Sequence, residues 1–118
     1  MENAIRRQSF DFAVQIVKLC TTISREKHEY VLTRQLIKSG TSIGANVREA
    51  QQAQSKKDFL AKMSIALKEA DESLYWLELL QAADFLPAPQ GEPLLQSALA
   101  LKKLLTAIVK TTRKNLAE

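Results

Sequence analysis

The chain has 118 residues, of which 46% are hydrophobic and 25% are charged. A chain of this length buries enough surface for one hydrophobic core and not for two, which predicts a single domain. Both fractions lie near globular averages and so exclude an intrinsically disordered chain and a collagen-like one. Lys and Arg number 17 against 13 Asp and Glu, and the net charge of +4 is compatible with a polyanionic partner without requiring one.

No run of the sequence approaches the roughly 18 consecutive apolar residues that a membrane-spanning helix needs, and the first residues lack the apolar core of a secretory signal. We therefore expect a cytoplasmic protein without a membrane partner. The single cysteine, Cys20, follows Leu19 in an apolar helical pattern and is predicted to be a small buried hydrophobic residue.

Apolar residues recur at helical spacing in the first two segments, and no period-two run indicates a strand. The first segment carries a main stripe and a second stripe beside it, which together predict a wide buried face. The main stripe is Ile5, Phe12, Ile16, Leu19 and Ile23, and the second is Phe10, Ala13 and Val17. The second segment repeats the rule with Leu32, Leu36, Gly40, Ile43, Val47 and Ala50.

The third and fourth segments contain the most regular apolar seams. These are Phe59, Met63, Ala66, Ala70, Ser73, Leu77 and Leu80, and then Leu94, Ala98, Leu101, Leu105, Ile108 and Thr112. Ser55 and Asp58 are typical of a helix N-terminus. All three prolines lie in residues 87–93, where they predict a loop that ends one helix near Leu86 and starts the next at Pro93 or Leu94.

These patterns predict an all-α fold, an up-and-down antiparallel four-helix bundle that occupies residues 1–118 as one domain. The expected helices are about 3–24, 29–53, 56–86 and 93–116. A three-helix alternative would need the second and third segments to be continuous, which the cap at Ser55 disfavours.

The sequence offers little catalytic chemistry. One His and one Cys cannot supply a tetrahedral zinc site within a chain or the paired Glu-x-x-His motifs of a di-iron bundle. Neither a phosphate-binding Gly-Lys loop nor a dinucleotide fingerprint is present. His28 lies in a charged turn among Arg25, Glu26 and Lys27 and is interpreted as a surface residue. We predict no enzymatic activity, no metal and no cofactor.

The centre of the second helix carries an unusual polar stripe. Ser39, Ser42, Asn46 and Glu49 step by three and four and therefore share one side of a helix. Gly40 and Gly44 are weak helix formers and need another reason to be there. They permit a close approach of a neighbouring helix, with Ser and Asn bonding across the contact; alternatively, the stripe forms a subunit interface or lines a ligand groove.

Eight cations are candidates for phosphate contacts. They are Arg34, Lys38, Arg48, Lys102, Lys103, Lys110, Arg113 and Lys114. Arg34 and Lys38, like Lys110 and Lys114, are four residues apart, and such like-charged pairs repel by a few tenths of a kcal/mol unless an anion covers them. A solvated surface is the alternative, and no aromatic residues interleave with these lysines in the sequence to form a stacking platform.

A longer pattern carries a resemblance to a known family. The run Ser39-Gly-Thr-Ser-Ile-Gly-Ala-Asn-Val-Arg-Glu-Ala50, then Lys57-Asp-Phe59, then residues 65–80 with Tyr75-Trp76, resembles the 23S ribosomal RNA intervening-sequence proteins. Ala50 stands where many relatives carry Gly. The motif residues are assigned to helix packing or a subunit interface, and they are Ser39, Ser42, Gly44, Asn46, Glu49, Tyr75 and Trp76.

The resemblance implies a bacterial four-helix bundle without enzymatic activity that assembles into a ring-like homopentamer. The sequence is also similar to the accessory variability proteins of diversity-generating retroelements, which share the bundle and bind nucleic acid. Two functions follow as hypotheses. One is an oligomer that binds structured RNA or DNA through basic surfaces. The other is a protein-interaction scaffold, favoured by Leu60, Leu67, Leu74 and Trp76, which lie off the main seam of the third helix.

The net charge is unevenly distributed along the chain. Residues 55–86 carry four basic and six acidic groups, whereas residues 87–118 carry five basic and two acidic groups. A polarised chain of this kind favours either a basic face for phosphate or complementary edges between subunits, and a pentamer would carry about +20 in total.

Overall fold

The computed structural model describes residues 3–117, which form four α-helices joined by short connections. The helices are α1 (Ala4–Lys27), α2 (Val31–Gln51), α3 (Lys56–Ala82) and α4 (Ala88–Ala117). Within these residues each helix packs against its neighbours in chain order, α4 also packs against α1, and the diagonal pairs do not meet. This is an up-and-down four-helix bundle, as the apolar periodicity predicts.

The core is built from the predicted seams. Phe12 and Ile16 of α1, Leu36 and Ile43 of α2, and the α3 and α4 seams from Met63 to Leu80 and from Leu94 to Leu105 are all buried. Cys20 is buried too, as predicted. Leu74 is buried, while Leu60, Leu67 and Trp76 pack partly buried against the core of their own chain. The apolar residues off the α3 seam therefore have intrachain partners.

The second apolar stripe of α1 is not buried, contrary to prediction. Phe10 is 54% exposed and Val17 is 42% exposed, because α1 already buries a full stripe through Ile5, Phe12 and Ile16. A helix in a four-helix bundle contacts only two neighbours, so its outer face meets no other part of the same chain.

The helix ends follow local hydrogen bonding. The Ser55 hydroxyl accepts from the Asp58 amide at 3.0 Å, which confirms the predicted cap of α3. At the start of α2, the carboxylate of Glu29 accepts from the amides of Val31, Leu32 and Thr33 at 2.9–3.1 Å. α1 runs to Lys27, three residues beyond the predicted end, and stops at His28, which has a left-handed backbone with φ 55°.

The proline-rich segment is the main error in the predicted helix bounds. α3 ends at Ala82, where left-handed Asp84 turns the chain and the Leu80 carbonyl accepts from the amides of Phe85 and Leu86. α4 then starts at Ala88, five residues before Pro93. Pro89 lies in the first turn of α4, where the amides have no helical acceptor to bond. Pro93 lies inside the helix, where it removes the amide that would donate to the carbonyl four residues earlier. Buried Gly91 also lets α4 pack on Leu86, since a Cβ there would lie 3.1 Å from the Leu86 side chain.

No helix in the described part of the chain is long and apolar enough to cross a membrane.

Candidate nucleic-acid interface

The antiparallel register brings the start of α1, the end of α2, the start of α3 and the end of α4 to one end of the bundle. Asn3 donates to Gln51 at 2.9 Å, and Lys62 pairs with Glu49 at 3.0 Å. Ile5 and Ile108 line one groove at the same end. These contacts fix which charged residues are neighbours.

A buried layer divides the bundle into two halves. The Ser73 hydroxyl of α3 donates to Ser39 of α2 at 3.0 Å, so these two residues lie at the same height along the bundle. Lys102 of α4 pairs with Asp71 at 2.7 Å, and because α3 and α4 are antiparallel, Ala100 is level with Ser73. We call residues 3–16, 40–73 and 100–117 the basic half, and residues 17–39 and 74–99 the neutral half. The described residues of the basic half carry 12 Lys and Arg against six Asp and Glu, and Glu2 and Glu118, which flank its segments in the sequence, bring the acidic count to eight and the net charge to +4. The neutral half carries five of each.

The eight predicted cations separate into different surroundings. Lys103, Lys110, Arg113 and Lys114 lie exposed on the second half of α4, and none has an ion-pair partner among residues 3–117. Lys102 forms an ion pair with Asp71. The Arg48 guanidinium lies 5.9 Å from the centre of the Phe10 ring. Arg34 and Lys38 lie in the neutral half. One contiguous patch of all eight is therefore not formed within the chain.

Two further lysines, missed at the sequence level, extend the α4 cluster. The Lys102–Asp71 ion pair sets the register of α4 against α3. Lys114 follows Lys102 by twelve residues and Phe59 precedes Asp71 by twelve, so in the antiparallel pair Lys114 is level with Phe59. Lys56 and Lys57 start α3 within about one turn of that height. We name Lys56, Lys57, Lys110, Arg113 and Lys114 the basic tip. The antiparallel pairing of α3 and α4 is the signal that would have identified it.

The polar stripe of α2 has partners within the chain. Ser39 is buried against Ser73 of α3 and Glu49 pairs with Lys62 of α3, whereas the Asn46 amide donates within α2 to the Ser42 carbonyl at 2.9 Å. The two glycines lie against α1. A Cβ at Gly40 would lie 2.9 Å from Ile16 Cγ2, and one at Gly44 would lie 3.4 Å from the Ser9 carbonyl oxygen. The glycines therefore permit the expected close approach, but Asn46 does not bond across a helix contact.

Tyr75 and Trp76 differ although they are adjacent. Trp76 is half-buried against the core, and Tyr75 is 59% exposed with its ring 5.0 Å from that of Trp76, edge to face. Tyr75 instead lines an open groove between α3 and α4 with Asp71, Glu78, Glu92 and Leu99.

Cys20 and His28 lie in different surroundings. Burial, and then the charge of Glu29, raise the pKa of the Cys20 thiol to about 12, so a thiolate is strongly disfavoured. His28 is exposed in the turn after α1, where its Nδ1 lies 3.4 Å from the Tyr30 hydroxyl. Among residues 3–117, no three His, Cys, Asp or Glu side chains are grouped as metal ligands.

Comparison with known proteins identifies relatives of the whole fold. The family model described as 23S rRNA-intervening sequence protein matches residues 1–107. The chain is also similar to a crystal structure from Bacteroides thetaiotaomicron, a protein of unknown function from the S23 ribosomal protein family. The two share 46% sequence identity with a TM-score of 0.88, over 90% of this chain and 98% of that one. No curated protein matches the chain.

Proposed function

Because this chain belongs to the 23S rRNA-intervening sequence protein family, we propose that it is a non-enzymatic, oligomeric bundle that binds structured RNA or DNA through its basic half. The family name concerns ribosomal RNA and the relative of known structure has no known function, so the proposal depends on the charge distribution of this chain.

The observation that carries the proposal is the contrast between the two halves. With the flanking Glu2 and Glu118 counted, 12 cations face eight acidic groups in the basic half, whereas the two are equal in the neutral half. The basic tip places five cations at the start of α3 and the end of α4, and within the described residues none of the five has an ion-pair partner. Cations free of acidic partners are available to neutralise phosphates, and each phosphate contact releases counterions.

Assembly strengthens the same feature. We propose a ring-like homopentamer, in which rotation about one axis keeps every basic half on the same side of the ring. With Glu2 and Glu118 counted, five halves of +4 would give that side a charge of about +20. Binding would then be mainly to phosphate, salt-sensitive and weakly dependent on sequence.

The test is an electrophoretic shift with a structured ribosomal RNA fragment and with duplex DNA, at low and at high salt. The triple variant K110Q/R113Q/K114Q removes three cations near the end of α4. Its matched control, K18Q/R25Q/K27Q, removes three exposed cations from α1, two of them in its last turn. We expect the α4 variant to weaken binding at least tenfold and to reduce the slope of log affinity against log salt by about 2.7 for duplex DNA, about 0.9 for each phosphate contact removed. The α1 variant is expected to bind like the unmodified chain.

Absence of a shift at low salt, or an equal loss in both triple variants, would overturn the proposal. A scaffold function would be supported instead if a protein partner were recovered in nuclease-treated pull-downs while both nucleic acids failed to bind. The variants R34Q and K38Q test separately whether the neutral half contributes.

A further inference from the structure

A groove between α1 and α2 in the basic half combines an aromatic ring with two arginines. Its volume is about 400 Å³, within the roughly 300–1,000 Å³ that small-molecule sites occupy. Along its length it is lined by Arg6 and Arg48, then Phe10 and Gly44, then Ala13 and Thr41. We name it the Phe10 groove.

The antiparallel register of α1 and α2 arranges these residues in pairs. The Asn3–Gln51 hydrogen bond holds the two helices at one height. Three residues inward from that bond, Arg6 is level with Arg48, and seven residues inward, Phe10 is level with Gly44. The arginine pair therefore lies about 6 Å along the axis from Phe10, a length that the sugar of one nucleotide bridges.

The arginine end of the groove has the chemistry of a phosphate site. Two guanidinium groups at one end of a groove repel each other unless an anion lies between them. Among residues 3–117 neither Arg6 nor Arg48 forms an ion pair. Glu49 also lines the groove, but its carboxylate pairs with Lys62 at 3.0 Å. The planar guanidinium fork matches the oxygens of a phosphate.

The middle of the groove has the chemistry of a stacking platform. Phe10 is 54% exposed, and the Arg48 guanidinium lies 5.9 Å from its ring centre. The nearby lining residues Ala13, Gly44 and Ala45 are small. Aromatic rings and guanidinium planes are the surfaces on which unstacked bases stack. The sequence places no aromatic residue among the lysines, but the fold places Phe10 beside two arginines.

We propose that the Phe10 groove binds one unpaired nucleotide of an RNA strand, with the base stacked on Phe10 and the phosphate between Arg6 and Arg48. The inference deepens the proposed function and rests on its nucleic-acid-binding part. In a duplex both faces of a base are covered by its neighbours, so the groove selects single strands, loops and bulges. The basic tip contacts phosphates of either kind.

The first test compares a short oligouridylate strand with a fully paired RNA duplex by fluorescence anisotropy. Phe10→Ala is expected to weaken strand binding about tenfold and to leave duplex binding unchanged, while Phe10→Trp restores strand binding. Tyr75→Ala is the matched control, because Tyr75 is 59% exposed but lies beside Asp71 and Glu78. In the unmodified chain, a strand that carries 5-iodouridine is expected to photo-cross-link to Phe10, as mapped by mass spectrometry.

Salt dependence separates the stacking contact from the phosphate contact. R6Q/R48Q is expected to reduce the slope of log affinity against log salt for the strand by about 0.7, the value of one phosphate contact. Phe10→Ala is expected to leave this slope unchanged, because stacking releases no counterions. The control R25Q/K27Q removes two exposed cations from the last turn of α1 and is expected to change neither quantity.

The outcomes separate this inference from the proposed function. Strand binding that Phe10→Ala leaves intact, with circular dichroism confirming the fold, overturns the Phe10 groove alone. Equal affinity for free uridine monophosphate, tighter binding of polyglutamate than of the strand, or a lower mass of the variant in light scattering would assign the groove to another occupant and also overturn it. Strand binding that is lost in Phe10→Ala but kept in K110Q/R113Q/K114Q supports the groove and overturns the role of the basic tip. No binding of any nucleic acid overturns both.

Discussion

The basic half and the neutral half of this bundle share the same four helices and the same kind of core, yet they differ in charge and in how their ends are built. The basic half contains the connection between α2 and α3, the start of α1 and the end of α4, and with the flanking Glu2 and Glu118 counted its net charge is +4. The neutral half contains the other two connections, and its positive and negative charges balance. Core packing therefore leaves the surface charge free to differ along a single bundle, and function can reside in one half.

The layer where the halves meet gives the largest expected effect on stability. Gly40→Ala places a Cβ 2.9 Å from Ile16 Cγ2, and this branched side chain cannot move away cheaply. Gly44→Ala places a Cβ 3.4 Å from the Ser9 carbonyl oxygen, which is an ordinary van der Waals distance. We expect Gly40→Ala to lower the free energy of unfolding and Gly44→Ala to raise it slightly through helix propensity, a difference of about 2 kcal/mol. Chemical denaturation of both variants measures it. Equal stabilities would contradict the close approach of α1 to α2 at Gly40.

Acid should destabilise the neutral half through Glu29, whereas burial and then the charge of Glu72 raise the pKa of Glu69 in the basic half, which gives the opposite response. Burial acts to raise the pKa of Glu29, but hydrogen bonds from the amides of Leu32, Thr33 and Val31 and from the Thr33 hydroxyl outweigh it, so the pKa lies below its usual value of 4.5. A lowered pKa in the folded state stabilises the fold above pH 4.5, and this contribution is lost as the pH falls through the lowered pKa.

Glu29→Gln is therefore expected to cost about 1 kcal/mol at pH 7 and progressively less towards pH 3. Denaturant midpoints of the variant and the unmodified chain, compared across this range, measure the difference. The control is Glu26→Gln, which changes an exposed glutamate on the last turns of α1. A constant difference at all pH values would show that Glu29 does not act through its charge.

The turns of the neutral half also contain strain that glycine relieves. His28 ends α1 with φ 55°, and a left-handed backbone costs a residue with a Cβ about 1–2 kcal/mol. Because glycine loses more backbone entropy on folding, His28→Gly is expected to raise the melting temperature through a net gain of about 0.5 kcal/mol. Arg25→Gly, three residues earlier inside the helix, should lower it instead. The same sign for both variants would argue against His28 as the terminator of α1.

The smallest effect is expected at the ion pair nearest the boundary. The side chains of Lys102 and Asp71 are 43% and 64% exposed, so solvent screens their attraction. A double-mutant cycle with K102Q and D71N should give a coupling of about 0.3 kcal/mol that vanishes in 0.5 M salt. A coupling above about 1 kcal/mol would mean that the pair does more than set the height of α4 against α3.

Sequence periodicity predicted most of the core because a helix that must bury one side repeats its apolar residues every three to four positions. The α3 seam from Met63 to Leu80 and the Ser55 cap agree with the structure. Two features were predicted wrongly for physical reasons. Prolines mark a helix break in a sequence, but α4 begins at Ala88, before Pro89 in its first turn, where a missing amide costs little, and it continues through Pro93. Phe10 and Val17 continue an apolar pattern that α1 cannot fully bury against two neighbours.

The candidate interface was predicted only in part. The run of cations near the end of α4 is evident from the sequence, whereas Lys56 and Lys57 join it only through the antiparallel register of α3 and α4. Arg34 and Lys38 are spaced four residues apart like Lys110 and Lys114, yet they lie in the neutral half. Local spacing places charges around one helix, but it does not state which end of a neighbouring helix lies alongside.

The sequence by itself therefore determined the number of helices, the residues that fill the core, the family and an excess of positive charge. Only the tertiary structure decided that the charge gathers in one half and that the Gly40 segment lies against α1. Helix formation and burial depend on neighbours three or four residues away, whereas surfaces are assembled from residues that are distant in the chain and meet only when the helices pack.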